Sequence, residues 1–142
     1  TVSGGRIKAA SFVVSAHANR VPVEHGHTVV MSAKFRIKPT AQEAIATMRA
    51  WRGEAIVAGA PSAPEFPLIV TDDPARPQPR RDANAGNGMT VTVGRVREDS
   101  IFHIKLVAMG HNIIRGAAGG AVLNAEVLAK TGRLGWTPPV AS

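Results

Sequence analysis

The feature that most constrains the fold is an alternating stretch that runs directly into a helix start signal. Over residues 27–38, apolar and polar side chains alternate, which is the period of a β-strand with one buried face. Pro39 ends that stretch, Thr40 is a good helix N-cap, and Glu43 completes a capping box three residues later. This order predicts a domain that combines sheet and helix. The strand face expected to be buried carries Val29, Met31, Ala33, Phe35 and Ile37.

The other elements are predicted from periodicity, turn residues and caps. Strands are expected over residues 7–16, 67–71, 89–96 and 100–109, the last two as an antiparallel hairpin. Helices are expected from Thr40 to about Gly53 and over residues 113–131, the second one ended by Gly132. The tail at 136–142 is expected on the surface.

The stretch between the first helix and the hairpin is rich in proline and glycine. Residues 59–87 contain only the short strand at 67–71 as a predicted element. Long irregular stretches in compact domains are usually functional or form interface arms. We therefore expect residues 60–90 to lie at or near a subunit contact.

Together these patterns predict an α+β fold with a mixed, mostly antiparallel sheet and helices packed on one face. A length of 142 residues fits a single domain with a real core. We therefore treat residues 1–142 as one domain.

The charge of the chain first suggests a nucleic-acid partner, but its placement does not. Seventeen basic residues exceed ten acidic ones, for a formal charge of +7. The basic residues are spread along the chain without a block of five or six, and few aromatic residues are present for base stacking. We expect no nucleic-acid partner, although a basic binding surface stays open as an alternative. Arginines outnumber lysines by twelve to five, which hints at bidentate carboxylate or phosphate contacts.

The residue types that are missing exclude several kinds of chemistry. The chain contains no cysteine, which excludes a disulfide scaffold, a Cys-ligated metal and a thiol nucleophile carried by this chain. Ser11, Ser15 and Ser62 have no nearby His–acid pair, so a serine nucleophile is not expected. No apolar run is long enough for a membrane span, and we expect no membrane partner.

Histidines are the main titratable candidates. His27 follows Gly26 at a loop-to-strand corner, seven residues after Arg20, an arrangement that suits a general base and an anion clamp at one pocket rim. A solvated histidine in a surface loop is the plainer interpretation of that spacing. His25 and His27 have a spacing that some metal sites use, but no third ligand is evident, so no metal site is predicted.

A glycine-rich run opens the last predicted helix. The free N–H groups of residues 116–120 could meet a phosphate or a carbonyl, and close helix packing explains the same glycines. The spacing is not that of a dinucleotide-binding fingerprint. Asn112, just before the run, suits either a helix N-cap or an amide that contacts a ligand.

Five segments in the same order resemble the C-terminal part of the aspartate-semialdehyde dehydrogenase family, in the branch found in archaea and fungi. They are residues 19–28, 61–64, 76–80, 86–95 and 111–120. The resemblance implies a C-terminal domain of the glyceraldehyde-3-phosphate-dehydrogenase-like type. It also implies a cytoplasmic enzyme that forms a dimer or tetramer and acts in amino-acid biosynthesis, including that of lysine, methionine and threonine.

The family interconverts aspartate semialdehyde and aspartyl phosphate with NADP and phosphate, through a cysteine thiolate and a histidine acid/base. By position in the motifs, His27 resembles that histidine and His25 does not. Arg20 resembles the arginine that clamps the substrate carboxylate. Asn112 resembles the residue that contacts the nicotinamide carboxamide.

The departure from the family is large, because the resemblance does not include the nucleotide-binding half or the segment with the catalytic cysteine. We therefore expect residues 1–142 to be a C-terminal catalytic and dimerisation domain that is inactive alone. A non-catalytic oligomerisation or regulatory module is the main alternative, and a basic nucleic-acid-binding domain is a weaker one.

Overall fold

The computed structural model describes residues 2–3, 6–7 and 11–133. The expected surface tail at 136–142 lies outside these residues. The strands are β1 (Val2–Ser3), β2 (Arg6–Ile7), β3 (His27–Ala33), β4 (Leu68–Val70), β5 (Val91–Glu98) and β6 (Ile104–Gly110). The helices are α1 (Ala41–Ala50), α2 (Pro79–Asp82) and α3 (Gly119–Lys130), with a π-helical turn at Ile114–Ala118 before α3.

A four-stranded sheet in the order β3-β6-β5-β4 organises the fold. β6 pairs antiparallel with both β3 and β5, whereas β4 pairs parallel with β5. β1 and β2 form a separate antiparallel pair. The predicted α+β class with a mixed, mostly antiparallel sheet is confirmed, as are the hairpin of β5 and β6 and the short strand β4.

Helix α1 begins where the capping box predicted. The Thr40 hydroxyl accepts a hydrogen bond from the Glu43 N–H at 3.2 Å, and the Glu43 carboxylate accepts one from the Thr40 N–H at 2.8 Å. Both bonds satisfy donors that the first helical turn leaves free. α1 contacts β4 and β5, and Arg49 in its last turn pairs with Asp72 beyond β4 at 2.6 Å.

A small apolar cluster joins α3 to the loops on either side of β4. Ala60, Met89 and Leu123 form its buried centre, with Ile114 and Val127 among the residues packed against it. Polar contacts add to this junction, because the Glu126 carboxylate accepts hydrogen bonds from the N–H and hydroxyl of Ser62 at 2.9 and 2.7 Å. The π-helical turn and α3 are therefore held firmly beside the end of β6.

The two predicted N-terminal strands are wrong in part. Of the strand predicted over 7–16, Ile7 belongs to β2, whereas residues 11–16 contain no strand although their Val and Phe content suits one, since no strand of the described sheets pairs with them. β3 ends at Ala33 rather than at 38, since the N–H of Phe35 donates to His103 Nδ1 at 3.1 Å instead of to a strand. The strand face expected to be buried is largely exposed, because β3 is at the edge of the sheet.

The predicted helix over 113–131 has the expected end but a different start. Gly116 N–H donates to His111 O at 2.9 Å and Ala118 N–H to Ile113 O at 2.8 Å, which are the five-residue bonds of a π-turn. Regular α-helix begins only at Gly119. A Cβ there would lie 2.6 Å from the Met89 sulfur, so glycine permits this close approach.

Candidate functional site

A cavity of about 340 Å³ lies where β3 begins and β6 ends. His27 is the first residue of β3 and pairs with Gly110, the last residue of β6. The chain then turns through His111 and Asn112 into the π-helical turn. The cavity is lined by His27, Val29, Val91, Ala108, Met109, Gly110, His111, Asn112, Arg115 and Gly116.

Two of the three predicted site residues meet in this cavity. His27 and Asn112 both line it and both are exposed. They lie far apart in the sequence, and the pairing of His27 with Gly110 in the β3–β6 register brings them together. The structure thus joins the histidine and the amide that the motifs singled out.

The third predicted site residue lies elsewhere. Arg20 is exposed in a stretch without regular secondary structure, and it is not among the residues that line the cavity. His25, two residues before His27, instead lines a second cleft of about 420 Å³ with residues at both ends of α2.

Asn112 holds the loop that precedes His27. Its side-chain oxygen accepts a hydrogen bond from the Gly26 N–H at 2.9 Å. Gly26 has a φ of +127°, which few residues other than glycine adopt. A Cβ at Gly26 would also lie 2.9 Å from the Pro79 Cβ. The turn before His27 is therefore packed between Asn112 and the start of α2.

Two histidine rings pack beside this turn. His25 and His111 are stacked with ring centroids 4.7 Å apart and an angle of 30° between the planes. His111 is buried, and its Nδ1 accepts hydrogen bonds from the N–H groups of Ile113 and Ile114 at 3.2 and 3.1 Å. His111 thus caps the start of the π-helical turn. Nδ1 of His25 is buried and has no hydrogen-bond partner among the described residues.

A buried carboxylate at the last residue of α2 holds this short helix in place. Asp82 is fully buried, and it accepts hydrogen bonds from the Arg76 side chain and, at 2.7 Å, from the Gln78 N–H. Burial raises the pKa of Asp82, but the hydrogen bonds and charge of Arg76 and the Gln78 bond outweigh it, so the pKa is below its ordinary value. Asp82 therefore stays charged at neutral pH and fixes the segment that carries Pro79.

Arg115 is a candidate site residue that the sequence reasoning missed. It lines the cavity with His27 and makes no ion pair with any residue that the structure describes. Its place three residues after Asn112 could have indicated it, since residues one helical turn apart share a face.

The cavity can hold an anionic ligand beside a titratable imidazole. A guanidinium suits carboxylate or phosphate oxygens, and the walls are otherwise mostly apolar side chains and glycine backbone. Over the described ranges, no group of three or more histidine or acidic side chains is placed to hold a metal ion. Nor is any helix in those ranges both long and apolar enough to cross a membrane.

Comparison with known proteins places these features in a family context. A family model described as semialdehyde dehydrogenase, dimerisation domain, matches residues 2–115. Aspartate-semialdehyde dehydrogenase of Archaeoglobus fulgidus is 42% identical over 128 residues, covering 90% of this chain and 36% of that protein. The protein of the same name from Schizosaccharomyces pombe is 46% identical over 135 residues, covering 93% and 37%.

Solved structures show the same similarity. The crystal structure of aspartate semialdehyde dehydrogenase with NADP from Candida albicans matches with a TM-score of 0.68 and 43% identity, over 77% of this chain and 31% of that one. Aspartate semialdehyde dehydrogenase II from Vibrio cholerae matches with a TM-score of 0.61 and 28% identity. The chain spans little more than a third of the length of the curated relatives it matches.

Proposed function

The chain belongs to the semialdehyde dehydrogenase family through that family's dimerisation domain, and on this basis we propose a more specific role. The chain supplies the C-terminal catalytic and dimerisation part of an aspartate-semialdehyde dehydrogenase. The complete enzyme interconverts aspartate semialdehyde and aspartyl phosphate with NADP and phosphate in cytoplasmic amino-acid biosynthesis. The thiolate nucleophile and the nucleotide-binding surface come from a segment outside these residues, because this chain has no cysteine.

One observation carries the proposal: His27 and Asn112 line the same cavity although they lie far apart in sequence. His27 is exposed at the first position of β3, where its imidazole can exchange protons with a ligand in the cavity. In this role His27 is the acid/base group of the reaction. The aligned motif supports the same assignment.

The amide of Asn112 suits one part of the cofactor. Its oxygen is engaged by the Gly26 N–H, which leaves the NH₂ group to donate to a carbonyl such as that of the nicotinamide carboxamide. When bound, NADP supplies hydride transfer to the enzyme. The contribution of this chain is to orient the nicotinamide end beside His27.

Two arginines are proposed to bind the anionic groups of the substrates. Arg20 is the carboxylate clamp by motif position, and this assignment rests on the motif alone. Arg115 is a second cation, supported by its place in the cavity wall and its lack of an ion pair within the described ranges. Its guanidinium can bind a phosphate or carboxylate oxygen pair.

Homo-oligomer formation is the other half of the proposal. It is supported by the description of the matching family model. It is also supported by exposed apolar side chains on both faces of β3, among them Val29, Val30 and Met31, because apolar patches of this kind mark interaction surfaces. Light scattering coupled to size exclusion should show a dimer or tetramer. A strict monomer at tens of micromolar would count against it.

The enzymatic half is tested by reconstitution. This chain, mixed with a separately made nucleotide-binding half of an aspartate-semialdehyde dehydrogenase, should form NADPH from aspartate semialdehyde, NADP and phosphate. The chain alone should show no turnover. In the mixture, His27→Ala should lower kcat by about 10²–10⁴-fold, the usual worth of a general acid/base.

His17→Ala is the matched control, since His17 is exposed and does not line the cavity. Turnover by the isolated chain would refute the proposed origin of the nucleophile. Equal kcat values for the two variants would remove His27 from the reaction. A mixture that binds stably but never turns over would favour the non-catalytic oligomerisation module instead.

A further inference from the structure

We propose that Asn112 and the stacked pair of His25 and His111 are positioning residues that fasten the turn before His27 to the start of the glycine-rich helix. The inference rests on the proposed function, because it explains how the acid/base residue His27 and the cofactor-facing amide of Asn112 are held at a constant distance and orientation. The attachment can be measured at the backbone amide of Gly26, without any catalytic assay.

The first attachment is the Asn112 amide. A backbone N–H only donates, so the 2.9 Å bond from Gly26 must end on the side-chain oxygen of Asn112. This bond fixes which way the amide faces and turns its NH₂ group away from Gly26. The same side chain therefore holds the residue before His27 and presents two donors to the other side.

The second attachment is the ring of His111. Because its Nδ1 accepts two backbone N–H groups, that nitrogen is unprotonated and the proton of the neutral ring is on Nε2. The bonds fix the ring at the start of the π-helical turn. The ring is only 4% exposed, so its free face is available for packing within the protein rather than for solvent.

The free face of His111 is covered by His25. The stacking distance of 4.7 Å is in the range of favourable ring pairs. This packing leaves Nδ1 of His25 buried and without a partner in the described part of the chain, which costs stability. Because this loss of stability falls at His25, directly before Gly26, it is consistent with an imidazole ring that is retained to position the turn.

His25, Gly26 and His27 are consecutive, so the two attachments act directly on the acid/base residue. His25 is held by ring stacking, and Gly26 is held by the Asn112 bond and lies so near Pro79 that a Cβ would overlap it. The Cα of His27 is thereby fixed, and only its side-chain torsions remain free. Ligand contact at Asn112 and proton transfer at His27 take place on one rigid unit.

The experiment is hydrogen exchange of the Gly26 amide, followed by NMR in the 142-residue chain. Asn112→Leu removes the acceptor and should speed exchange at Gly26 about tenfold, the effect of losing one neutral hydrogen bond. Asn112→Asp keeps an oxygen acceptor and should leave exchange near the wild-type rate. His111→Leu should also speed exchange, whereas His111→Asn restores a capping oxygen without the ring and should fall between.

The matched control is His103→Leu. His103 Nδ1 also accepts a backbone N–H, that of Phe35, but at the other end of β3. This variant should speed exchange at Phe35 and leave Gly26 unchanged. Circular dichroism checks that each variant is folded. Should Asn112→Leu not fold, His25→Ala against His25→Phe poses the same question, because only the alanine removes the stacked ring.

Unchanged exchange at Gly26 in folded Asn112→Leu, or in folded His25→Ala, would overturn the proposal. In the reconstituted enzyme, Asn112→Asp should raise KM for NADP with little change in kcat, whereas Asn112→Leu should lower kcat as well. If exchange responds as expected but the wild-type mixture is inactive, the positioning inference stands and the proposed function fails.

Discussion

Two irregular segments approach the candidate site, and they differ in where their side chains go. The extended segment, residues 11–24, has exposed apolar side chains, with Val13 99% exposed. The proline-rich segment, residues 71–88, buries a carboxylate, Asp82, with no exposed surface. The two meet in the cleft lined by residues 22–25 and by residues 79, 80, 83 and 84.

The difference shows that a largely irregular segment, with only the single helical turn α2, can still be well fixed. The proline-rich segment is fixed because Asp82 gathers donors from Arg76 and Gln78 and because the segment packs on Gly94 of β5. The only backbone bond within the extended segment joins Val23 to Val21. We infer that the proline-rich segment supports the site, whereas the extended segment adds little to the stability of this chain.

The largest effect should come from Asp82→Asn. This change removes the charge that pairs with Arg76, whose side chain is 29% exposed. Breaking a buried pair costs about 3–5 kcal/mol, and we expect about 3 because Arg76 keeps contact with solvent. Urea unfolding measures it. A loss as small as that of a surface substitution would mean that the proline-rich segment is not the support of the site.

Asp82 should also make the stability contributed by the proline-rich segment depend on pH. The pKa of Asp82 is below its ordinary value in the folded chain, so its stabilisation is complete above the unfolded value. It should be lost as the pH falls from about 4 toward the folded pKa. Asp82→Asn should flatten this part of the stability curve. Glu43 and Asp99, whose pKa values are also lowered, should leave a smaller residual slope.

A second effect should come from Gly94→Ala. A Cβ at Gly94 would lie 2.5 Å from the backbone oxygen of Arg76 and 2.9 Å from Thr71 Cγ2, so the proline-rich segment must move. Overpacking of this kind costs about 1–3 kcal/mol. Gly110→Ala in β6 is the control, because its nearest contact is at 3.6 Å. Equal thermal midpoints for both variants would show that the segment does not depend on its contact with β5.

A smaller effect of opposite sign is expected where the two segments meet. His25→Phe keeps a ring for stacking on His111 and removes the buried Nδ1 that has no partner among the described residues. The free energy of unfolding should rise by about 1 kcal/mol. A decrease would mean that the nitrogen makes a contact that stabilises the turn.

The smallest effect is expected in the extended segment. Val13→Ser changes a side chain that is almost fully exposed, and such substitutions usually alter stability by less than about 0.5 kcal/mol. Chemical denaturation of the isolated chain measures it. A loss above about 1 kcal/mol, roughly fivefold in the folding equilibrium, would contradict the difference in stability drawn between the two segments.

Local signals predicted the local parts of the fold. The capping box of Thr40 and Glu43 located the start of α1, and Gly132 marked the end of α3. The alternation of apolar and polar residues predicted β3 and the hairpin strands. It did not predict that Val29 and Met31 are exposed, because the burial of an edge strand depends on what packs against it. The apolar run around Val13 predicts a strand, but the pattern does not show whether a partner strand exists.

The candidate site was predictable only through its resemblance to a family. Spacing alone favours a solvated loop histidine at position 27, since nothing local connects His27 to Asn112. Arg115 and the support by Asp82 were missed because they depend on packing between distant segments. Whether residues 60–90 lie at a subunit contact stays a prediction.

The hydrogen bond between Gly26 and Asn112 joins residues 86 apart in the chain, and this has a consequence for folding kinetics. Closing so long a loop loses chain entropy before the contacts that offset this loss can form. Folds with many such long-range contacts therefore form slowly. Among the described strands, β3 pairs with β6 alone, so it must wait for a strand made much later in synthesis. We therefore expect the cavity to be among the last parts to assemble, after the hairpin and α1 have formed from local contacts.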